Sequence, residues 1–155
     1  MKSTVQLAFA MALLLAASCN KADNQPHATG AILMNSWNIG QTSYRATTIL
    51  GNGAELIASQ TNGSVVNTFK CRFSGNSLPA TAGSYKIVSA NPGPNEVVIR
   101  AANGNASYTA SGNDNSAAQV YIQNNKVMIN TSIFWAVSDA SARDSVEVHG
   151  SISQQ

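Results

Sequence analysis

The stretch Ala118–Val137, AQVYIQNNKVMINTSIFWAV, decides the fold. Apolar residues alternate with polar ones on both sides of Asn124-Asn125, and asparagine tolerates the positive φ that a two-residue hairpin turn needs. The pattern therefore predicts two antiparallel strands, Ala118–Gln123 and Lys126–Val137. On the second strand every other residue is expected to face the core, namely Val127, Ile129, Thr131, Ile133 and Trp135.

Similar short segments, rich in Val, Ile, Thr, Tyr and Phe, fill the chain from Ile32 onward, and Gly, Asn and Pro clusters separate them. The other predicted strands are Ile32–Ile39, Ser43–Leu50, Ala54–Gln60, Ser64–Phe73, Ser84–Val88, Glu96–Ala101, Ala106–Ala110 and Ser145–Ser153. The prolines of Asn91–Asn95 lack amide donors, which predicts an exposed loop there. The sequence thus predicts an all-β fold, an antiparallel β-sandwich or partly closed barrel of roughly eight to ten short strands.

The first 18 residues have the layout of a secretory signal peptide. Lys2 precedes an apolar segment from about Val5 to Ala17, and small residues lead to Cys19. The apolar segment is shorter than the ~20 residues that a spanning helix needs. A cysteine at this position predicts a lipoprotein signal, with Cys19 lipidated and exposed as the new N-terminus after cleavage. An ordinary secretory leader is the alternative.

The expected organisation is a lipoprotein signal peptide at 1–18, a flexible tether at 19–30 and a single β-rich domain at 31–155. The tether is polar and contains Pro, Gly and His27. Two or more acyl chains attach a protein stably to a membrane surface without crossing it. The membrane, reached through this lipid, is therefore one expected partner.

The charge pattern gives no reason to expect a nucleic-acid partner. The chain has 9 basic and 7 acidic residues, and only 10% of its residues are charged. Nucleic-acid binders carry a basic stripe or cluster. Here the basic residues are dispersed along the sequence, at Lys70, Arg72, Lys86, Arg100, Lys126 and Arg143.

The residue types that catalysis needs do not form a motif. The two histidines are His27 in the tether and His149 in the last strand, where His149 is expected to face solvent. Cys71 lies between two phenylalanines on a predicted strand and is expected in the core. We therefore predict no catalytic residue, no cofactor and no metal site. The polar run Gly112–Ser116 contains oxygen ligands but lacks calcium-loop spacing, so it is expected to be a turn.

The aromatic residues suggest a binding role instead. Flat aromatic faces stack on the apolar faces of sugars, and core packing is the commoner use of such residues. Trp135 is expected in the core, which leaves Trp37 as the candidate ligand-stacking aromatic.

Several short motifs carry a family resemblance. They are the leader ending at Cys19, Asn35-Ser36-Trp37, Gly83-Ser84-Tyr85-Lys86-Ile87, Asn125-Lys126-Val127-Met128-Ile129 and Val146–Ile152. With these motifs the chain resembles small lipoproteins of Bacteroidota that carry a β-rich domain of unknown function. The resemblance implies an envelope lipoprotein anchored by palmitate or similar acyl chains, and it carries over no ligand. Asp144-Ser145-Val146 resembles the O-glycosylation acceptor of that phylum, so Ser145 is a candidate acceptor.

Asn20 is not the aspartate that retains lipoproteins at the inner membrane in better-known Gram-negative bacteria, which favours the outer membrane. Only Asp23 follows the cysteine where surface-exported lipoproteins carry a denser acidic patch, so the face of that membrane stays open. The expected function is a non-enzymatic binding or structural module with a protein or glycan partner. The alternatives are an envelope hydrolase acting on glycans or peptides, and a spacer without a ligand.

Overall fold

The structure is a computed structural model that describes residues 34–155. The predicted leader, Cys19 and the tether lie outside the described residues. The strands are β1 (Ser36–Ile39), β2 (Thr42–Arg45), β3 (Thr48–Asn52), β4 (Glu55–Asn62), β5 (Val65–Phe73), β6 (Gly83–Val88), β7 (Glu96–Asn103), β8 (Ala106–Ala110), β9 (Ala117–Gln123), β10 (Lys126–Thr131), β11 (Phe134–Ser138) and β12 (Ser145–Ser153). Residues 34–155 contain no helix, and the predicted all-β fold class is confirmed.

A strand is present within each predicted segment, and two segments are divided. Of the predicted strand Ile32–Ile39, Ser36–Ile39 is a strand and Met34-Asn35 is a turn, while residues 32–33 lie outside the described residues. Ser43–Leu50 breaks at Ala46-Thr47 into β2 and β3, and Lys126–Val137 breaks at Ser132-Ile133 into β10 and β11. The central hairpin is confirmed, because Asn124 and Asn125 have φ of 51° and 60° and connect the paired residues Gln123 and Lys126.

Part of the sheet closes into a ring of hydrogen-bonded strands. The order around the ring is β12-β10-β9-β6-β7-β8-β11 and back to β12. From the other edge of β12 the sheet continues through β1 to β2, and from the other edge of β7 it continues through β5 and β4 to β3. The pairs are antiparallel except β6 with β7, which are parallel. The strands β12 and β7 are therefore the two junctions of the fold.

The core lies where β1 and β12 pack against β5. Trp37 and Phe69 are fully buried with ring centroids 6.3 Å apart, and Trp37 also stacks on Tyr44 at 5.5 Å. Gly150 lies beside Phe69, so close that a Cβ there would meet the ring at 2.7 Å. Burial of one large apolar side chain contributes ~1.5–3 kcal/mol, so the contact between Trp37 and Phe69 is a major stabilising contact between β1 and β5.

The two tryptophans occupy the opposite environments from those predicted. Trp37, the candidate stacking residue, is fully buried, and Tyr44 and Phe69 both pack against it. Trp135, expected in the core, is 37% exposed. The break at Ser132-Ile133 interrupts the alternation along the predicted strand, so Phe134 and Ala136 face the core in place of Ile133 and Trp135.

Candidate functional site

A cleft of about 600 Å³ lies beside the exposed ring of Trp135, and we call it the Trp135 cleft. It is bordered by β11, β12 and the β1–β2 hairpin. Its lining residues are Asn38, Gly40, Gln41, Ile133, Trp135, Ser145, Val146, Glu147 and His149.

Strand alternation places the polar lining residues on one surface. Val148 and Ile152 face the core from β12, so Glu147 and His149 point outward from the same strand. In the pairing register Trp135 lies opposite Glu147, and Asn38 lies opposite His149. Directly opposed residues of an antiparallel pair have Cβ atoms about 4.5–5.5 Å apart. The indole, the carboxylate, the imidazole and the amide are thus neighbours.

The break before β11 explains why Trp135 faces outward. β10 ends at Thr131, whose buried hydroxyl oxygen accepts a hydrogen bond from the Gly150 amide at 2.8 Å. The carbonyl of Ile133 then accepts a hydrogen bond from the hydroxyl of Ser116 at 3.1 Å. The first bond holds the end of β10 and the second holds Ile133 within the break, while the Ser132 amide donates to the Ala117 carbonyl at 3.0 Å. The inward positions resume at Phe134.

The loop between β8 and β9 holds the backbone of Trp135 on both sides. The Trp135 amide donates to the Asp114 carboxylate at 3.0 Å, and the Trp135 carbonyl accepts from the Ser111 amide at 2.8 Å. The run Gly112–Ser116 is irregular, as the sequence predicts. Asp114 within that run is therefore a positioning residue for the cleft.

The electrostatics of the cleft come from Glu147 and His149. Partial burial lowers the pKa of His149, and the nearby Glu147 carboxylate opposes this with a smaller upward effect. His149 is therefore neutral at pH 7 and can both donate and accept a hydrogen bond. The lining residues then carry one formal charge, the negative charge of Glu147.

The spacing along β12 separates the groups that a hydrolase would need to bring together. Ser145, Glu147 and His149 alternate on one strand, so the Cα atoms of Ser145 and His149 are about 13 Å apart at ~3.3 Å per residue. A hydroxyl nucleophile and its base must lie about 2.6–3.2 Å apart. Glycoside hydrolysis needs two carboxyl groups. The residues that line the cleft contain one, that of Glu147.

The other residues singled out in the sequence lie in different places. Cys19 and His27 lie outside the described residues, and Ser145 is exposed at the rim of the Trp135 cleft. Cys71 is buried, and its burial raises the pKa of the thiol well above its ordinary value. This thiol is in the core as predicted, where it stays protonated and unreactive.

Within residues 34–155 there is no group of three His, Cys, Asp or Glu side chains placed to hold a metal ion. The same part of the chain contains no helix with the length and apolarity that crossing a membrane requires.

Three basic residues that are dispersed in the sequence lie close together in the structure. Lys70, Arg72 and Arg100 are far apart in sequence, yet they line one concavity on the outer face of β5 and β7. Each lies at an outward position of its strand, and the pairing of β5 with β7 brings the three together.

Comparison with protein-family models, with curated proteins and with solved structures finds no match to this chain.

Proposed function

We propose that this chain is a non-enzymatic binding module of the bacterial envelope, anchored by a lipid on Cys19, that binds a glycan in the Trp135 cleft. The observation that carries the glycan assignment is the exposed indole of Trp135 beside a set of uncharged hydrogen-bonding groups. The anchor rests on the sequence around Cys19 alone. The outer membrane is the proposed location.

The chemistry of the lining fits a sugar. One flat aromatic face can cover the apolar C–H face of a pyranose ring, as binding sites commonly combine apolar contact with a few placed polar groups. The amides of Asn38 and Gln41, the imidazole of His149 and the hydroxyl of Ser145 provide donors and acceptors for sugar hydroxyls.

The charge of the cleft favours a neutral glycan over an acidic one. Glu147 is the charged lining residue and lies directly opposite Trp135 across the β11–β12 pair. Its carboxylate can accept hydrogen bonds from sugar hydroxyls, whereas it would repel a uronic or sialic acid carboxylate.

The envelope hydrolase is the weaker proposal. It would need a second carboxylate near Glu147, or a hydroxyl within hydrogen-bond distance of His149. The spacing of Ser145 and His149 on β12 argues against the second arrangement. Ser145 as an O-glycosylation acceptor is a further proposal, and its exposed place at the start of β12 leaves the hydroxyl accessible to a modifying enzyme.

Binding to an array of neutral hexose oligosaccharides, with acidic oligosaccharides beside them, tests the proposal. We expect the full chain to retain neutral glycans, and Trp135→Ala to weaken this binding at least about tenfold, because truncation of a tryptophan that acts as a binding hot spot costs about 2 kcal/mol, and about 1.4 kcal/mol corresponds to tenfold.

The matched control is Tyr121→Ala, which removes an aromatic residue that is 51% exposed and does not line the cleft. Equal weakening by both substitutions, or no retention of any glycan by the unaltered chain, would contradict the proposal. Circular dichroism on each variant verifies that it remains folded.

A further inference from the structure

The outer face of β4, β5 and β7 carries a concentrated positive charge. Cα pairing places Glu55, Arg72 and Val98 in one row across the three strands, and Ile57, Lys70 and Arg100 in the next. The inner positions of the same strands, such as Leu56, are buried. The charged groups therefore share a single surface.

Two cations oppose each other directly in this surface. Lys70 pairs with Arg100 across the β5–β7 ladder, and directly opposed side chains have Cβ atoms about 4.5–5.5 Å apart. Like charges in that position destabilise a sheet. An anion bound between them would turn the repulsion into attraction.

Two acidic residues, Glu55 and Asp139, offset part of the charge. Glu55 lies opposite Arg72 in the ladder, but its carboxylate makes an ion pair with Lys70 at 3.3 Å. This is the only ion pair within residues 34–155. In that part of the chain, neither Arg72 nor Arg100 has a carboxylate within salt-bridge distance. The Asp139 carboxylate accepts hydrogen bonds from Ser107 and Thr109, which lower its pKa, and the charge of Arg100 lowers that pKa further. Asp139 therefore offsets part of the charge of Arg100 from beyond salt-bridge distance.

The charged surface is concave because a loop forms a wall beside it. Val98 is buried on the outward side of β7, and Ser89, Ala90 and Asn91 line the same concavity of about 150 Å³. The position of this loop is constrained by Gly112, where an added Cβ would lie 2.8 Å from the Ser89 backbone nitrogen. A second constraint is the hydrogen bond from the Gly93 amide to the Glu96 carboxylate at 2.7 Å.

The charge and the donor geometry match one phosphate group. The lining contains three cationic groups and one carboxylate, which leaves a formal charge of +2. A phosphate monoester carries about −1.5 to −2 at pH 7. Guanidinium groups bind phosphate oxygens in a bidentate manner. Arg72 and Arg100 occupy diagonal positions, roughly 7–8 Å apart in such a ladder, a spacing that lets both reach one phosphate.

We infer that Lys70, Arg72 and Arg100 form a binding site for a phosphate group, which is separate from the Trp135 cleft and does not depend on the glycan assignment. The phosphate belongs either to a small soluble molecule or to a lipid headgroup, because both present the same charged oxygens.

Calorimetric titration with inorganic phosphate at constant ionic strength tests the site in the full chain carrying Cys19→Ser. We expect binding by this chain, and at least a tenfold loss of affinity in Arg72→Gln/Arg100→Gln. Glu55→Gln is expected to tighten binding severalfold, because it removes the carboxylate that competes for Lys70. Arg45→Gln/Lys126→Gln removes the same net charge from exposed positions elsewhere and should leave the affinity unchanged.

Sedimentation with vesicles identifies the source of the phosphate. Vesicles of phosphatidylcholine alone are compared with vesicles that contain one fifth phosphatidic acid. Binding to the second kind that requires Arg72 and Arg100 assigns a lipid headgroup, and arginine-dependent binding of inorganic phosphate without it assigns a soluble ligand. Absence of arginine-dependent binding in both measurements, or an equal loss in the Arg45/Lys126 control, overturns the inference.

Discussion

Gly150 allows β12 and β5 to approach each other closely in the core. It lies opposite Trp37 in the β1–β12 pair, and an added Cβ would lie 2.7–3.0 Å from three atoms of the Phe69 ring. Phe69 is fully buried and stacked against Trp37, so a shift of the ring away from a new Cβ would disturb that contact. Glycine is therefore required here for close packing.

We predict that Gly150→Ala lowers the free energy of unfolding by about 1–3 kcal/mol, the usual cost of overpacking a core. Urea unfolding measures the change. Gly83→Ala is the matched control, since a Cβ at Gly83 meets no atom within 4 Å and its φ is not positive. If Gly150→Ala proves as stable as Gly83→Ala, the packing account of Gly150 is wrong.

His149 couples the stability of the fold to pH. Burial lowers the pKa of His149, so the folded state binds its proton less readily than the unfolded chain, in which histidine titrates near 6.5. The stabilisation from this group is complete above the unfolded pKa and is lost as the pH falls through it towards the lower folded pKa.

We therefore predict that the unaltered chain loses stability between about pH 7 and pH 5, and that His149→Gln loses less across the same interval. Urea midpoints at a series of pH values provide the comparison. Parallel pH curves for the two proteins would assign the loss to other groups.

Glycan binding measured over the same interval should weaken on acidification, because protonated His149 cannot accept a hydrogen bond from a sugar hydroxyl.

At the scale of the strand, local chemistry predicted the elements well. The paired asparagines at 124 and 125 adopt the positive φ that the hairpin needs, and alternation correctly assigned Val127, Ile129 and Thr131 of β10 to the core. Both properties depend on neighbours in sequence, which is why the sequence alone reveals them. The ring of strands depends on which edges meet, and no local pattern specifies that.

The tryptophan error arose where a tertiary contact overrides alternation. Ser132 and Ile133 fit a continuous strand by composition, but hydrogen bonds from Ser116 and to the Ala117 carbonyl fix the break between β10 and β11. Those partners come from a different part of the sequence, so the change of parity at Trp135 had no signal in its own segment. Glu147 and Asn38 were missed for a related reason, because their neighbours follow from strand pairing.

At the scale of the whole molecule, the position of the Trp135 cleft relative to the N-terminal segment bears on the proposed anchor. Asn35 lies at the far end of β12, where its side-chain oxygen accepts a hydrogen bond from the Ser153 amide at 2.9 Å. Ser145, at the cleft, begins the same strand. Eight residue steps at ~3.4 Å separate these ends by about 27 Å. Asn38 is the lining residue nearest to Asn35 in sequence, three residues and about 10 Å away, whereas Ser145 lies at the opposite end of the cleft. We therefore expect a lipid-anchored N-terminal segment to leave the Ser145 end of the cleft open to a glycan.

This arrangement predicts that anchoring and glycan binding are independent. We expect the native protein to have an acylated mass and to enter the detergent phase, and Cys19→Ala to remain in the aqueous phase while still binding glycans with unchanged affinity. Cys71→Ala is the control, because it removes the other thiol, which is buried in the core, and should leave partitioning intact.

An unmodified mass with aqueous partitioning of the unaltered chain would remove the anchor from the proposal, and the glycan assignment would then apply to a secreted protein. Weaker glycan binding by Cys19→Ala would show that the lipid or the membrane contributes to the site, against the separation of the two ends of β12.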